Sequence, residues 1–320
     1  MHILPEKRGP IAVLWLNRPD KLNAFNWPMG EELVSFFNEI NKDDSIRVVV
    51  VTGKGNGIFS LSLSLSLSLS LDLTSLLRVA FCAGADLTQG NVFGMYDDQK
   101  LKGENGMTAS NAHRDQGGQV SLAIHRCRKP VIAAINGAAV GVGITMTLPM
   151  DIRIAAESAK VGFVFARRGI ALEAVSSFFF PRVVGIGKAL EWASTGRVFT
   201  AKEESASGLF NHVVPQTEVL NKALAIAAEI ANNTSAVSTF MNKSLLWASQ
   251  IDGQTPEAQH LLESKLIFWI GRQNDAAEGV MSFKEKRPPK FEMSPWSDLP
   301  EFFPFYQRIN TERKQVSSKL

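Results

Sequence analysis

Two glycine-rich turns carry the first chemistry this sequence can offer. The first turn lies in FCAGADL, residues 81–87, and the second in NGAAVGVGIT, residues 136–145. Each sets glycine and small residues where a strand gives way to a turn, and Gly141 and Gly143 stand where a helix can open with its first amides pointing outward. Two such turns can aim two main-chain N–H groups at one oxygen, an oxyanion hole in which one lost donor costs on the order of 3 kcal/mol. Either glycine cluster alone is also explained by tight packing or a positive φ.

Other reactive side chains have simpler readings. Asp86 and Asp151 suit turn or strand-end backbone groups. His125 and His212 lack a partner in the sequence pattern and read as structural, and Cys82 reads as a small packing residue. The five histidines and two cysteines show no zinc-ligand spacing.

The elements that must position these residues alternate. IAVLWL at 11–16 is an apolar run between Gly9-Pro10 and the turn-like NRPD, which predicts a buried strand. GEELVSFFNEINKDD spaces Leu33, Phe36, Phe37 and Ile40 as a helix does, and RVVVVT at 47–52 reads as a second buried strand. VIAAIN at 131–136 reads as a third. The order favours an α/β layer architecture. Beyond it, residues 186–194 followed by Gly196 predict a helix, Thr200 to Glu203 form a capping box expected to open another that stops near Gly208, and 220–281 reads as a helical layer. After Lys286 five prolines predict an irregular tail.

A chain of 320 residues with 45% hydrophobic and 20% charged residues can bury a large core. Its net charge of +3, without a basic run, gives no case for nucleic acid or an anionic membrane. Two cysteines, no CxxC and no secretory leader predict free thiols in a reducing setting. The ladder FSLSLSLSLSLSLDL, residues 59–73, places a hydroxyl at every second position, so it does not read as a membrane span, which wants about 20 mostly apolar residues. Its alternation suits a strand with a leucine face, prone to slip in register and to aggregate. Ser318, Lys319 and Leu320 form the peroxisomal address, predicting a peroxisomal import receptor as partner.

The ordered segments NRPDKLNAF, VVVVTGKGN, FCAGADL, KPVIAAINGAAVGVG, DIRIAAESAKVGF and GLFNHVVP resemble the crotonase superfamily of enoyl-CoA hydratases and isomerases, from about residue 11 to about residue 291. The resemblance implies an α/β fold, a spiral of ββα units over 1–200, a helical region over 201–291 used in a homotrimer or dimer of trimers, and an irregular tail at 292–320. It implies an acyl-CoA substrate whose thioester enolate sits in the oxyanion hole, with no cofactor beyond the coenzyme A carried by the substrate. Position by position, the two amides fall on Ala85 and Val142, with Ala83, Gly84, Asp86 and Gly141 lining the substrate around them. Lys21, Leu22, Asn23 and Ala24 match the segment that lines the CoA adenine and phosphates, Lys21 either supplying charge or being an ordinary solvated loop lysine. Phe178, Phe179 and Phe180 become core or acyl-pocket walls.

The acid–base positions depart from the hydratase pattern. Where two-glutamate hydratases carry carboxylates, this chain has Thr145 and Phe165. In RRGIALEAVSSFFFPR, Glu173 stands where Δ3,Δ2-enoyl-CoA isomerases place their single base, flanked by Ser176, Ser177 and Pro181 as there; its apolar neighbours IAL and AVSSFFF favour acid–base work over the alternative, a solvent-facing glutamate near a helix N-terminus. The expectation is an isomerase; a single-glutamate hydratase and a non-catalytic acyl-CoA-binding homologue are the alternatives. The resemblance also brackets the ladder, because family members join GKGN to AFCAGADL directly and this chain inserts residues 57–79. A repeated TC dinucleotide encodes alternating Ser and Leu, so a translated intron is one origin and a genuine insertion the other.

Overall fold

The structure, a computed structural model, describes residues 1–55, 79–88, 114–251 and 253–303. The ladder and Ser318, Lys319 and Leu320 lie outside the described residues.

The valine-rich runs form the centre because they are apolar on both faces, as parallel strands covered on both sides must be. A six-stranded sheet runs β1 (Ile3–Arg8), β2 (Ile11–Leu16), β3 (Val48–Gly53), β5 (Val131–Ile135), β7 (Ile152–Ala156) and β10 (His212–Val214). The first pair is antiparallel and every other pair parallel. All residues of β3 and β5 are buried. Helix α6 (Val219–Asn233) lies across this sheet, packing on β3, β5 and β7. Its buried residues are Val219, Ala223, Ala227 and Ala231, a four-residue repeat of mostly alanines that lets the helix approach the strands closely.

A second sheet, β4 (Ala80–Cys82), β6 (Ala138–Val140), β8 (Lys160–Gly162) and β9 (Val198–Thr200), is parallel except for its last pair. Helix α1 (Trp27–Ile40), N-capped by Asn26, packs against α2 (Gln116–His125), N-capped by Asp115. The short helix α3 (Val142–Thr145) follows β6, and α4 (Ser176–Val184) and α5 (Ile186–Thr195) follow β8. Helices α7 (Ala236–Ala248), α8 (Pro256–Ile270) and α9 (Asn274–Glu285) complete the chain before the tail. A smaller core of Val237, Phe240, Met241, Leu266 and Phe303 begins after α6, which belongs to the main core.

One expected helix is corrected. Thr200 and Glu203 exchange the reciprocal bonds of a capping box, yet residues 201–207 form turns. The backbone closes i to i+3 from Thr200, Lys202 and Glu204, and the Ser207 hydroxyl takes the Glu204 carbonyl, so the local hydrogen bonds compete with helix propagation.

Candidate active site

The two glycine turns lie side by side at the ends of parallel strands β4 and β6. Gly84 has φ +106, and a Cβ there would meet the Val140 carbonyl oxygen at 3.1 Å. Around it, Ala83 N donates to Leu22 O at 3.1 Å, Phe25 N to Gly84 O at 2.8 Å and Asp86 N to Phe25 O at 2.8 Å. These bonds fix the backbone on both sides of Ala85, whose own N–H finds no acceptor among the described residues. Gly141, with φ +55 and ψ −126, turns the chain into α3; a Cβ on it would lie 4.0 Å from Gly84 Cα. Val142 N–H, the first of α3, is likewise unpaired among the described residues, as the geometry of a helix start dictates. Gly143 presses onto the Cys82 carbonyl so closely that any side chain would overlap it.

Glu173 reaches this place from a distant part of the chain. Its Oε1 accepts a 2.6 Å hydrogen bond from the Thr145 hydroxyl. Thr145 is fully buried and closes α3, three residues, or about 4.5 Å of rise, beyond Val142. Glu173 Oε2 accepts no hydrogen bond among the described residues. Burial raises the carboxyl pKa to about 7, the Thr145 hydroxyl opposing the rise and the charge of Asp115 adding to it. The side chain points inward, which replaces the solvent-facing alternative. Immediately after it, Ala174 and Val175 have φ of 57° and 56°. Left-handed backbone costs about 1–2 kcal/mol per residue, and a β-branched residue there is an outlier, so the segment is held by its surroundings. Ser176 supplies part of that hold, donating from N at 3.0 Å and Oγ at 2.5 Å to the Glu173 carbonyl.

The loop at 18–25 is laced to the first turn by Arg18. Its guanidinium binds the Ala24 carbonyl and, at 2.6 Å, Asp86 Oδ2. Asp86 also accepts from Thr88 N and Oγ1, and these bonds, with Arg18, hold its carboxyl at about 2. The Asp86 side chain thus braces the turn. Asn23 is wholly buried; its side chain accepts from Arg18 N and donates to the Lys54 and Ala80 carbonyls. Leu22 and Asn23 both take left-handed φ, and the exposed Lys21 ammonium has no partner among the described residues. Asp151 accepts from Val131 N and pairs with Lys243. His125 sits between the Phe179 and Trp247 rings, burial pulling it down to about 4. Burial pushes the Cys82 thiol up to about 11. Phe165, Phe179 and Phe180 are core residues, and Phe178 stacks under Arg182. Sequence reasoning missed Arg18, Asp115, Gly117 and the hydroxyl role of Thr145. Of these only Asp115, two residues before a Gly-Gly helix start, carried a local signal.

Two amides unpaired among the described residues on adjoining strand ends, one of them opening the short helix whose Thr145 holds an inward carboxylate, suit a reaction that places charge on an oxygen and moves a neighbouring proton. The family profile described as enoyl-CoA hydratase/isomerase matches residues 6–67 and 72–294, most of the chain. The chain belongs to the enoyl-CoA hydratase/isomerase family. Among the relatives of this family member, enoyl-CoA hydratase ACTT3 of Alternaria alternata is 43% identical over 289 residues, covering 90% of this chain and 84% of its own. The 1,2-epoxyphenylacetyl-CoA isomerase of Escherichia coli (strain K12) is 29% identical, with 90% and 97% covered. A solved probable enoyl-CoA hydratase/isomerase from Mycobacterium abscessus superposes with a TM-score of 0.74 at 30% identity, covering 91% and 98%. Enoyl-CoA hydratase from Bacillus anthracis gives 0.72 at 29%, covering 92% and 100%. The α/β crotonase-type fold and the acyl-CoA enzyme read from the motifs are those of this family.

Proposed function

We propose that this family member is an isomerase that moves the double bond of a 3-enoyl-CoA to the 2-position. The observation that carries the reading is the inward Glu173 carboxylate, held by Thr145 of the helix that Val142 opens and with one oxygen unbonded among the described residues, while Thr145 and Phe165 stand at the positions where the resemblance puts the hydratase carboxylates. The thioester oxygen binds the two main-chain N–H groups. Glu173 Oε2 takes a proton from C2, and the electron pair spreads over C2 to C4 and the thioester oxygen, whose negative charge the amides stabilise. The same carboxyl returns the proton at C4, leaving the double bond between C2 and C3. A pKa of about 7 suits a group that both takes and gives back a proton near neutrality.

A second reading, a single-glutamate hydratase, is favoured by the names of three Alternaria alternata relatives at 43%, 42% and 41% identity, each called an enoyl-CoA hydratase. There Glu173 takes a proton from a water whose oxygen adds at C3 of a 2-enoyl thioester and delivers that proton to C2. Parallel assays decide: conversion of 3-enoyl-CoA to 2-enoyl-CoA without net water addition supports the isomerase, and faster hydration of 2-enoyl-CoA than isomerisation removes it. Delivery to the peroxisome is supported by Ser318, Lys319 and Leu320; a fluorescent fusion exposing this tail that stays cytosolic would overturn it.

A further inference from the structure

We infer that Asp115 is a positioning residue for Glu173, its carboxylate clamping the first turn of α2 to the backbone that directly follows the base. The inference rests on the proposed role of Glu173. Asp115 caps α2 and uses one oxygen for two bonds: Oδ2 accepts from Gly118 N at 2.6 Å and, 59 positions away in sequence, from Ala174 N at 3.1 Å. Ala174 is the first of the two left-handed residues after Glu173. Ser176 holds that segment from within; Asp115 holds it from another element.

The clamp has a second consequence. It sets Gly117 against the carboxylate, and a Cβ on Gly117 would fall inside the van der Waals envelope of Glu173 Oε2. The first turn of α2 therefore forms the wall that places Oε2, as Thr145 places Oε1. Among the described residues, the charged or titratable groups facing Glu173 are Asp115 at the cap of α2 and the Cys82 thiol from β4. Burial does most to hold the proton on Glu173, and the Asp115 charge adds to it.

Three substitutions separate clamp from charge. Asp115→Asn offers its single amide oxygen to both N–H groups and removes only the charge. Asp115→Ser still caps Gly118 but is one bond too short to reach Ala174 as well, and Asp115→Ala does neither. The expected result is that Asp115→Ser and Asp115→Ala lose about 10- to 100-fold in kcat at nearly unchanged KM, because a misplaced base costs rate rather than binding. Asp115→Asn keeps most of kcat, and its acid limb of kcat/KM moves to lower pH. Gly117→Ala, a change that ordinarily favours a helix, also loses kcat while its thermal midpoint is maintained. Folded Asp115→Ser and Gly117→Ala proteins with kcat within about twofold of the parent, outside the loss expected for a displaced base, would overturn the clamp. Glu173→Gln run alongside distinguishes the failures: full activity there removes the base and this inference together, whereas loss there with full activity in Asp115→Ser removes the clamp alone.

Discussion

At the scale of the residue, the carboxyl of Glu173 makes opposite demands on activity and stability. As the base it must be ionised, so kcat/KM should rise with pH through about 7 and level off above it. Glu173→Gln keeps the acceptor for Thr145 but cannot take a proton, and kcat should fall about 10²- to 10⁴-fold, measured with 3-enoyl-CoA. Stability runs the other way. The folded pKa of about 7 exceeds the ordinary 4.5, so the folded protein binds the extra proton between these values and loses stability as pH rises through the window. Glu173→Gln escapes that loss: at pH 8 it should be more stable than the parent by on the order of 2 kcal/mol, after allowance for partial exposure. The advantage should vanish below about pH 4.5. Denaturant titrations at pH 5 and pH 8 check it, and an equal difference at both would contradict the raised pKa. Thr145→Val should push the acid limb of kcat/KM upward, because the hydroxyl lowers the Glu173 pKa.

At the scale of the element, the ladder sits between strands whose ends already meet. A Cβ on Gly55 would lie 3.2 Å from Val79 Cγ1, and Gly53 presses on the backbone of Ala80 and Phe81. A chain leaving at Gly55 and returning at Val79 needs almost no length to close, so removing residues 57–78 should leave the fold intact. It should spare closure entropy worth about 2 kcal/mol, read as a higher thermal midpoint with kcat within about threefold, since β4 and its turn keep every bond named above. An unfolded or inactive deletion would show the segment to be integral. Elements were legible where burial is two-sided: the strands at 11–16, 47–52 and 131–136 form as read, because a continuous apolar run admits little else. β1 was not, since ILPEKR is an edge strand with a proline and charged residues facing solvent. The capping box at Thr200 made its bonds without a helix because its downstream serines favour turns. In the candidate site, the glycine turns were legible from local composition and Glu173 from its place in the family pattern. The Thr145 bond to Glu173 spans 28 positions and the Asp115 bond to Ala174 spans 59, and only the folded topology brings such pairs together.

At the scale of the whole molecule, the C-terminal helices are too apolar for a free surface. Leu266 of α8 is buried in the smaller core, yet Leu261, Ile267 and Phe268 of the same helix and Phe283 of α9 stand largely exposed, Phe283 at 84%. A helix that is apolar on more than the face it packs is covered by something else. We propose that a second and a third copy cover it, in the homotrimer the family resemblance implies. Light scattering on the full chain should then give three times the 35.1 kDa of one chain. Ile267→Asp with Phe268→Asp places two charges where such an interface must desolvate them, a cost of several kcal/mol per unpaired ion. The variant should run as a monomer while its far-ultraviolet circular dichroism is preserved, because neither side chain belongs to the core of its own chain. A parent chain that runs at 35.1 kDa at micromolar concentration would remove the trimer and leave the exposed face in need of another partner.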